Sequence, residues 1–237
     1  MSFFVIFIFC FITSIFFINF GIISNKLIFN TTKENRVLEN CLLGIISLSI
    51  LALISNFFIS LNLYFNLIII LFSFLYLIKL NKKVIIKILI YSLLISLISF
   101  LTITLDNTNR PDSGLYHLPF TSLLNEWRLM VGVANLNERF GIISILQYLS
   151  AINFNFIFNE NGILIPLVII YSTILLFFFE QIFKKNNQNF LKILSFLFFS
   201  FILTNMNRYS SLGNDAPAQM FYFLLIFFFL KENDKKN

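Results

Sequence analysis

Long apolar runs dominate this chain, and their length restricts what it can fold into. Seven mostly apolar blocks stand at about 3–24, 41–61, 64–79, 84–105, 162–180, 190–205 and 217–230. A helix needs about 20 apolar residues to cross the hydrocarbon core of a membrane, and the longer blocks reach this length. The strands of a transmembrane barrel would be shorter and would alternate between apolar and polar residues. The sequence therefore predicts an all-α protein, a polytopic transmembrane helical bundle of about seven spans that forms a single integral membrane domain over residues 1–237.

Composition agrees with this class. The chain is 58% hydrophobic, with a mean hydropathy of +0.87, whereas a soluble domain is about half apolar. Cys10 and Cys41 lie in or beside apolar blocks, and they have neither metal-ligand spacing nor the pattern of a disulfide framework. Both are predicted to be small buried hydrophobic side chains.

The basic residues predict how the bundle is oriented. If the N-terminus lies outside, all twelve Lys and Arg36 fall in the inner connections, and four Arg remain on the outer side. Cytoplasmic loops carry an excess of Lys and Arg. We therefore expect a bacterial cytoplasmic (inner) membrane protein with its N-terminus outside and its C-terminus inside. This orientation also explains the net charge of +6 without a basic patch for nucleic acid. We expect the helices to contact membrane lipid.

One predicted outer loop, residues 106–161, differs from the rest of the chain. It contains the only His (His117), the only Trp (Trp127), three of the five Arg and five of the eleven acidic residues. These charged residues are Arg110, Arg128, Arg139, Asp106, Asp112, Glu126, Glu138 and Glu160. All four Pro and five of the seven Gly lie in or next to this loop and the shorter 206–216 loop, which indicates irregular backbone. The sequence therefore predicts that the outer face carries the function.

Two short helices are predicted inside this loop. The segment from Pro119 to Trp127 is amphipathic, with its apolar residues at helical spacing, and Pro119 suits the first turn. Its apolar side consists of Phe120, Leu123, Leu124 and Trp127. Such a helix would lie in the membrane interface with Trp127 at headgroup depth. The apolar stretch 142–152 is too short to cross, and it is predicted to be a re-entrant or interfacial helix packed into the bundle.

The residue types of the loop admit two interpretations. A carboxylate such as Asp112, facing a partly dry cavity near Tyr116 and His117, could act as a general base on a hydroxyl. A nearby His or Arg could stabilise a departing phosphate. Alternatively, the Asp residues cap turns, His117 is an interfacial residue with a backbone partner, and the Arg residues bind lipid headgroups or pair with local acids.

Neighbouring charges within the loop favour the second interpretation for some residues. Glu126 lies beside Arg128, and Glu138 lies beside Arg139. We interpret both pairs as local charge balancing, and we weight the two Glu lower as functional residues.

Three segments of the outer face carry a resemblance. They are Asp112-Ser113-Gly114-Leu115-Tyr116-His117-Leu118 with Glu126-Trp127, the stretch Gly132-Val133-Ala134-Asn135-Leu136-Asn137-Glu138-Arg139-Phe140-Gly141, and Ser210-Ser211-Leu212-Gly213-Asn214-Asp215-Ala216-Pro217. Together they resemble an uncharacterised family of bacterial multi-pass membrane proteins with the patterns D-x-G-L-Y-H and G-L-x-N-L-H-x-R-F and a Ser-rich turn ending in Asp and Pro. Asn137 stands where that family tends to have His, and Glu138 where a small residue is usual. The family is similar to integral-membrane glycosyltransferases of the GT-C type.

The resemblance implies a function on the outer face. GT-C enzymes take a sugar from a polyprenyl-phosphate carrier, the lipid-linked donor, and here the acceptor would be a glycan or a lipid in envelope polysaccharide or glycolipid assembly. An acidic residue of the first large outer loop is their usual base, which makes Asp112 the first candidate and Asp106 the second. The implied substrate-binding residues are Tyr116, His117, Arg128, Asn135, Arg139 and Asp215. His117 and Arg139 would bind the carrier phosphate, and Asp215 would support the site or bind a divalent metal, a requirement that stays open.

Other functions also stay open. GT-C enzymes carry many spans after the acidic loop, whereas this chain has only three, which leaves open that it is part of a longer protein. A transporter or flippase for a lipid-linked or small polar substrate would predict ionisable residues inside the spans and an inverted repeat, and the sequence gives little sign of either. A polymerase or ligase of envelope glycans would rely on Arg128 and Arg139. A non-catalytic membrane protein is the remaining alternative.

Overall fold

The computed structural model describes residues 3–30, 34, 36–105, 113–141, 144–154, 160–185, 187–206 and 215–234. Within these ranges the chain forms α-helices joined by short π and 3-10 turns, without a strand. The helices before the outer loop are α1 (Phe3–Phe29), α2 (Val37–Asn56), α3 (Leu63–Leu77) and α4 (Lys82–Leu105). The loop holds a π turn (Ser113–His117), α5 (Leu118–Glu126), two 3-10 turns (Val133–Asn135 and Glu138–Gly141) and α6 (Ile145–Asn153). The helices after it are α7 (Glu160–Phe183), α8 (Asn189–Thr204) and α9 (Asp215–Asp234). The prediction of an all-α protein is confirmed for the described residues.

Each predicted apolar block is a helix in the structure. Four of these helices, α1, α2, α4 and α7, are long and apolar enough to cross a membrane. α3 and α8 are apolar but have only 15 and 16 residues, and α9 ends in charged residues. The membrane character of the protein is therefore supported, whereas the count of seven spans stays a prediction.

Polar contacts between helices show that α4 runs antiparallel to both α1 and α7. The hydroxyls of Ser99 in α4 and Ser172 in α7 lie 2.8 Å apart, and two turns further along the pair the Tyr91 hydroxyl donates to Glu180. On its other side, α4 places Phe100 against Phe7 of α1, with ring centroids 6.1 Å apart, and further along the same pair the Ser14 hydroxyl of α1 lies 3.3 Å from the Ser92 carbonyl oxygen of α4. Hydroxyls and amides are common links between helices that cannot rely on water exclusion for association.

α1 and α2 are in close backbone contact. A Cβ placed on Gly21 would lie 2.6 Å from the carbonyl carbon of Asn40 and nearer still to its oxygen, and a Cβ on Gly44 would lie 2.8 Å from the nitrogen of Gly21. Only glycine allows the two backbones to approach this closely. The Asn25 side chain also donates to the Asn40 side chain across the same contact, at 3.1 Å.

Both cysteines are buried, as predicted. Cys10 and Cys41 each have 0% exposure, and the Cys41 sulfur lies 3.4 Å from the Thr173 hydroxyl of α7. They contribute to packing between helices.

The two ends of the bundle differ. At one end, the α2–α3 connection contacts the outer loop, since the Leu61 N–H donates to the Leu124 carbonyl at 3.1 Å. At the other end, the Lys26 ammonium lies 6.0 Å from the Tyr76 ring centroid, and Lys231 lies 3.4 Å from Gln181 Oε1. Placing the α2–α3 connection and the large loop on the same side is what the predicted alternation of spans requires. Which side of the membrane they face stays a prediction.

Candidate functional site

α5 forms the first wall of the candidate site. Pro119 occupies its first turn, as predicted, because a missing N–H costs nothing there. Phe120 and Leu124 are buried in a small apolar cluster with residues of α2 and α6, which confirms the amphipathic helix. The Thr121 hydroxyl donates to the His117 carbonyl at 2.7 Å and joins α5 to the π turn before it.

The helix ends at Glu126, so Trp127 does not extend its buried side. Trp127 has extended backbone and is 58% exposed. The Asn56 side chain donates to the Trp127 carbonyl at 3.1 Å, and the Leu129 N–H donates to the Asn56 carbonyl at 2.7 Å. These bonds hold the chain against the end of α2 and prevent a further helical turn.

α6 forms the second wall. Ser144 caps its N-terminus in a capping box with Gln147, an arrangement that satisfies two backbone N–H groups at a helix start. Every residue from Leu146 to Asn153 is buried, and the helix contacts α2, α5 and α7. The predicted helix packed into the bundle is therefore present from Ile145 onward, whereas residues 142–143 lie outside the described residues. The depth of this helix in the membrane stays a prediction.

Asn125 connects these walls. Its amide nitrogen lies 2.7 Å from the Leu61 carbonyl oxygen, 3.0 Å from that of Ala151 and 2.8 Å from that of Phe154. These carbonyls belong to the α2–α3 connection and to the C-terminal end of α6. One side chain therefore shares its two N–H hydrogens among partly buried backbone acceptors of two elements and links α5 to both.

Tyr148 of α6 lies in the same region. Its side chain is fully buried, and its hydroxyl has no hydrogen-bond partner in the described part of the chain. Burial raises the pKa of Tyr148, because the phenolate loses the solvation it would have in water. The phenol therefore stays protonated at neutral pH.

A polar cluster forms where the π turn, the second 3-10 turn and α6 meet; we call Tyr116, His117, Arg139 and Gln147 the histidine cluster. The rings of Tyr116 and His117 have centroids 4.2 Å apart, and the Arg139 guanidinium carbon lies 5.3 Å from the Tyr116 ring centroid, within range of a cation–π interaction. Gln147 Nε2 lies 3.5 Å from His117 Nδ1. His117 and Gln147 are buried, whereas Arg139 is exposed.

An apolar cavity of about 180 Å³ lies beside this cluster. Its walls come from α5 and the segment up to Gly141, and Phe120 and Phe140 form one side with ring centroids 5.5 Å apart. Among the described residues that line it, Arg128 is the one charged residue. Gly132, also in the lining, has a φ of 85°, a left-handed backbone that favours glycine. The arrangement suits an amphipathic molecule with an apolar chain and an anionic group.

The structure brings together only part of the predicted site. Tyr116, His117 and Arg139 meet in the histidine cluster, and Arg128 lines the cavity. Asn135 is exposed in the first 3-10 turn, and Asp215 is the exposed first residue of α9. Within the described ranges, neither of these two forms a hydrogen bond with the cluster.

The predicted base lies outside the described residues. Asp106, Arg110 and Asp112 all fall in the segment 106–112. Among the residues that the structure describes, no group of three His, Cys, Asp or Glu could hold a metal ion. The metal requirement therefore stays open.

The expected local charge pairs are absent from the described residues. Glu126 accepts a hydrogen bond from the Ser122 hydroxyl at 3.2 Å, and Arg139 lies over Tyr116. Neither Arg128 nor Arg139 forms an ion pair with its neighbouring Glu, although Arg36 and Glu39 of α2 do so at 2.9 Å. No direct ion pair therefore supports the interpretation of these pairs as charge balancing, which stays a prediction.

Sequence reasoning missed Gln147 and the two clamping asparagines, Asn56 and Asn125. The Ser144-x-x-Gln147 spacing is a recognisable capping box and could have identified Gln147. Asn56 and Asn125 are single amides in apolar surroundings, and their spacing carries no comparable signal.

These features define a helical integral-membrane protein, and the outer-loop end of its bundle carries a partly buried histidine cluster beside an apolar cavity. The chain belongs to the family described as "Domain of unknown function (DUF8201)", which matches residues 2–237. No curated protein matches the chain. No solved structure matches it either.

Proposed function

We propose that this protein is an integral-membrane glycosyltransferase of the GT-C type. It transfers a sugar from a polyprenyl-phosphate carrier to a glycan or lipid acceptor on the outer face of the membrane, in envelope assembly. The observation that carries the proposal is the meeting of Tyr116, His117 and Arg139 beside an apolar cavity at one end of the bundle. These residues come from two separate segments that share the sequence resemblance to GT-C-like proteins.

The cavity and the cluster match the two parts of such a donor. A polyprenyl chain is apolar, and the described cavity lining is mostly apolar, with Arg128 as its charged member. The donor phosphate is anionic, and a guanidinium binds phosphate through paired hydrogen bonds. Within the described residues, Arg128 and Arg139 form no ion pair with a carboxylate, and Arg139 lies over the Tyr116 ring.

The reaction requires a base, an electrophile and a leaving group. The Asp112 carboxylate would take the proton of an acceptor hydroxyl, whose oxygen then forms a bond to the anomeric carbon of the sugar. The bond between that carbon and the phosphate oxygen breaks, the electron pair leaves with the polyprenyl phosphate, and the configuration inverts. Arg139 and His117 would donate hydrogen bonds to the phosphate as its negative charge increases.

The test replaces the proposed base without changing its size. Asp112→Asn is expressed in cells that lack the native copy, and envelope glycan is measured together with the amount of protein in the membrane. Glu126→Gln is the matched control, because Glu126 is an exposed carboxylate of the same loop. Loss of glycan in Asp112→Asn alone is expected, and normal glycan in this variant would exclude the proposed base.

The alternatives predict different results. A transporter is expected to have ionisable groups along a path through the membrane. Several described polar groups of the spans instead link helices, as Asn19 does by donating to the Ser73 hydroxyl at 2.9 Å. A polymerase or ligase would depend on the outer Arg residues. It would lose activity in Arg139→Ala while Asp112→Asn stays active.

A further inference from the structure

Part of the outer loop is held at the depth at which a membrane helix ends. α2 is long and apolar enough to cross a membrane, and its 20 residues give a length of about 30 Å, the thickness of the hydrocarbon core. A span of this length has its last residue, Asn56, at the edge of that core. The Asn56 side chain donates to the Trp127 carbonyl, and the Leu129 N–H donates to the Asn56 carbonyl. The chain from Trp127 to Leu129 is therefore held at the same level.

The side chains that this part of the loop exposes are largely apolar. Trp127 is more than half exposed, Leu136 is 77% exposed and Val131 is 100% exposed. The α2–α3 connection exposes Phe57 and Phe58 at the end of α2. A group of exposed large apolar side chains indicates contact with an apolar partner. Because these residues lie at or close to the level where α2 ends, the partner that fits is the interfacial layer of the bilayer.

The structure places this membrane contact beyond α5. The sequence predicts that the apolar side of α5 lies in the interface, but Phe120 and Leu124 are buried against α2 and α6. Side chains that are buried in the protein do not contact lipid. The segment that follows exposes Trp127 and Arg128 next to each other, and an indole ring and a guanidinium are side chains that anchor a protein at headgroup depth.

We propose that residues 127–136 form a membrane anchor, which inserts Trp127, Val131 and Leu136 into the headgroup layer of the adjoining leaflet. The same segment forms part of the apolar cavity, because Trp127 and Met130 line it. The rim of the cavity therefore lies at headgroup depth, and an anionic lipid reaches the cavity from the bilayer and not from water. The anchor does not depend on the proposed function, whereas the identity of this lipid as a sugar donor rests on it.

Trp127 can report its own depth, because it is the only tryptophan of the chain. The protein is reconstituted in phosphatidylcholine vesicles whose acyl chains carry bromine either close to the headgroup or at the methyl end, and iodide on both sides of the vesicles serves as the aqueous quencher. We expect the shallow bromine to quench Trp127 about twofold more than the deep bromine or iodide, since indole rings of this kind lie at headgroup level. Quenching mainly by iodide would overturn the proposal, because the loop would then lie in water. Quenching by neither agent would also overturn it, because protein would then cover the ring.

Substitutions at position 131 test the anchor itself. Val131 is fully exposed, so its replacement removes little packing within the protein. Val131→Asp should lower the quenching by shallow bromine by about half, because interfacial binding scales with the apolar area that is inserted. Val131→Leu is the matched control and should keep or increase the quenching. Val131→Thr has the shape of valine and should give an intermediate value, which keeps the test decisive if the Asp variant does not fold. Equal quenching in the folded variants would overturn the anchor.

The route into the cavity is tested with dodecyl phosphate that carries bromine on its alkyl chain, added in trace amounts to vesicles without other bromine. We expect its quenching of Trp127 to saturate, and Arg128→Gln should weaken the apparent affinity by about tenfold, because a hydrogen bond to a charged group is lost. Brominated dodecanol is the matched probe without an anion, and Arg128→Gln should not change its quenching. Quenching by the phosphate that rises without saturation would overturn entry from the bilayer. If these results hold while the protein transfers no sugar, the proposed function fails and the anchor stands.

Discussion

The close backbone contact between α1 and α2 makes Gly21→Ala a quantitative test of the fold. The atoms that an added Cβ would meet are the Asn40 carbonyl group and the Gly44 nitrogen, at distances of 2.6 Å from the carbonyl carbon and 2.9 Å from the nitrogen. Real Cβ atoms essentially never approach another atom closer than 3.0 Å. Since all of these atoms belong to the backbone, no side-chain rotation can relieve the overlap, and the helices must separate.

The expected cost follows from two opposing effects. Overpacking costs about 1–3 kcal/mol, and the upper end applies here because separation also loosens the dispersion contacts along the helix pair. Alanine recovers up to about 1 kcal/mol of helix propensity relative to glycine. We therefore expect a net destabilisation of about 2 kcal/mol, roughly a 30-fold change in the unfolding equilibrium constant.

The assay is reversible unfolding in mixed detergent micelles, followed by helical circular dichroism. Gly114→Ala is the control, because a Cβ at Gly114 meets nothing within 4 Å, and its effect should stay within about 0.5 kcal/mol. The double variant Gly21→Ala with Gly44→Ala should cost less than the two single costs together, since both are relieved by the same separation. A Gly21→Ala protein as stable as the wild type would refute this account of the helix contact.

Three further predictions concern the outer loop. Asn125→Ala leaves three carbonyls without their side-chain donor and should destabilise the loop by about 2 kcal/mol. The measurement is amide hydrogen exchange, which should become faster in α5 and α6. Unchanged protection would contradict the proposed role of Asn125 in connecting these helices. Burial raises the pKa of Tyr148, so the unfolded chain loses the phenol proton at lower pH than the folded chain, and the free energy of unfolding should fall as pH rises above about 10. Tyr148→Phe should weaken this fall and leave stability at neutral pH unchanged. A loss of stability at neutral pH in this variant would show that the hydroxyl has a partner. A cysteine at the exposed position Gly114 should be labelled from outside the cell, with little background because Cys10 and Cys41 are buried. Labelling only from the cytosol would show that the predicted orientation is wrong.

Much of the helix content could be predicted from the sequence. Runs of apolar residues as long as the membrane core leave few alternatives to a helix, because every backbone polar group must then be satisfied within its own segment. The position of Pro119 in the first turn of α5 could also be predicted, since proline lacks the N–H that a helix interior requires. Such predictions concern local backbone chemistry and do not depend on what a helix packs against.

The contacts inside the loop were harder to predict. The end of α5 at Glu126 depends on Asn56, which lies 70 residues earlier in the chain, and a periodic pattern carries no information about that partner. Arg139 pairs with the Tyr116 ring instead of the adjacent Glu138, because the 3-10 turn directs neighbouring side chains differently. Charge proximity in the sequence was therefore a poor guide to charge proximity in space.

By itself, the sequence predicted an all-helical membrane protein, placed all of its Lys in connections on one side, and placed its histidine and tryptophan in one loop. These properties follow from composition and spacing along the chain. Only the tertiary structure decided that His117 meets Gln147 and Tyr116 meets Arg139, that Asn125 joins α5 to α6, and that Gly21 and Gly44 bring two backbones together. The physical reason is that hydrogen-bond direction and backbone clearance depend on the relative positions of separate helices, which are set by the packing of the whole bundle.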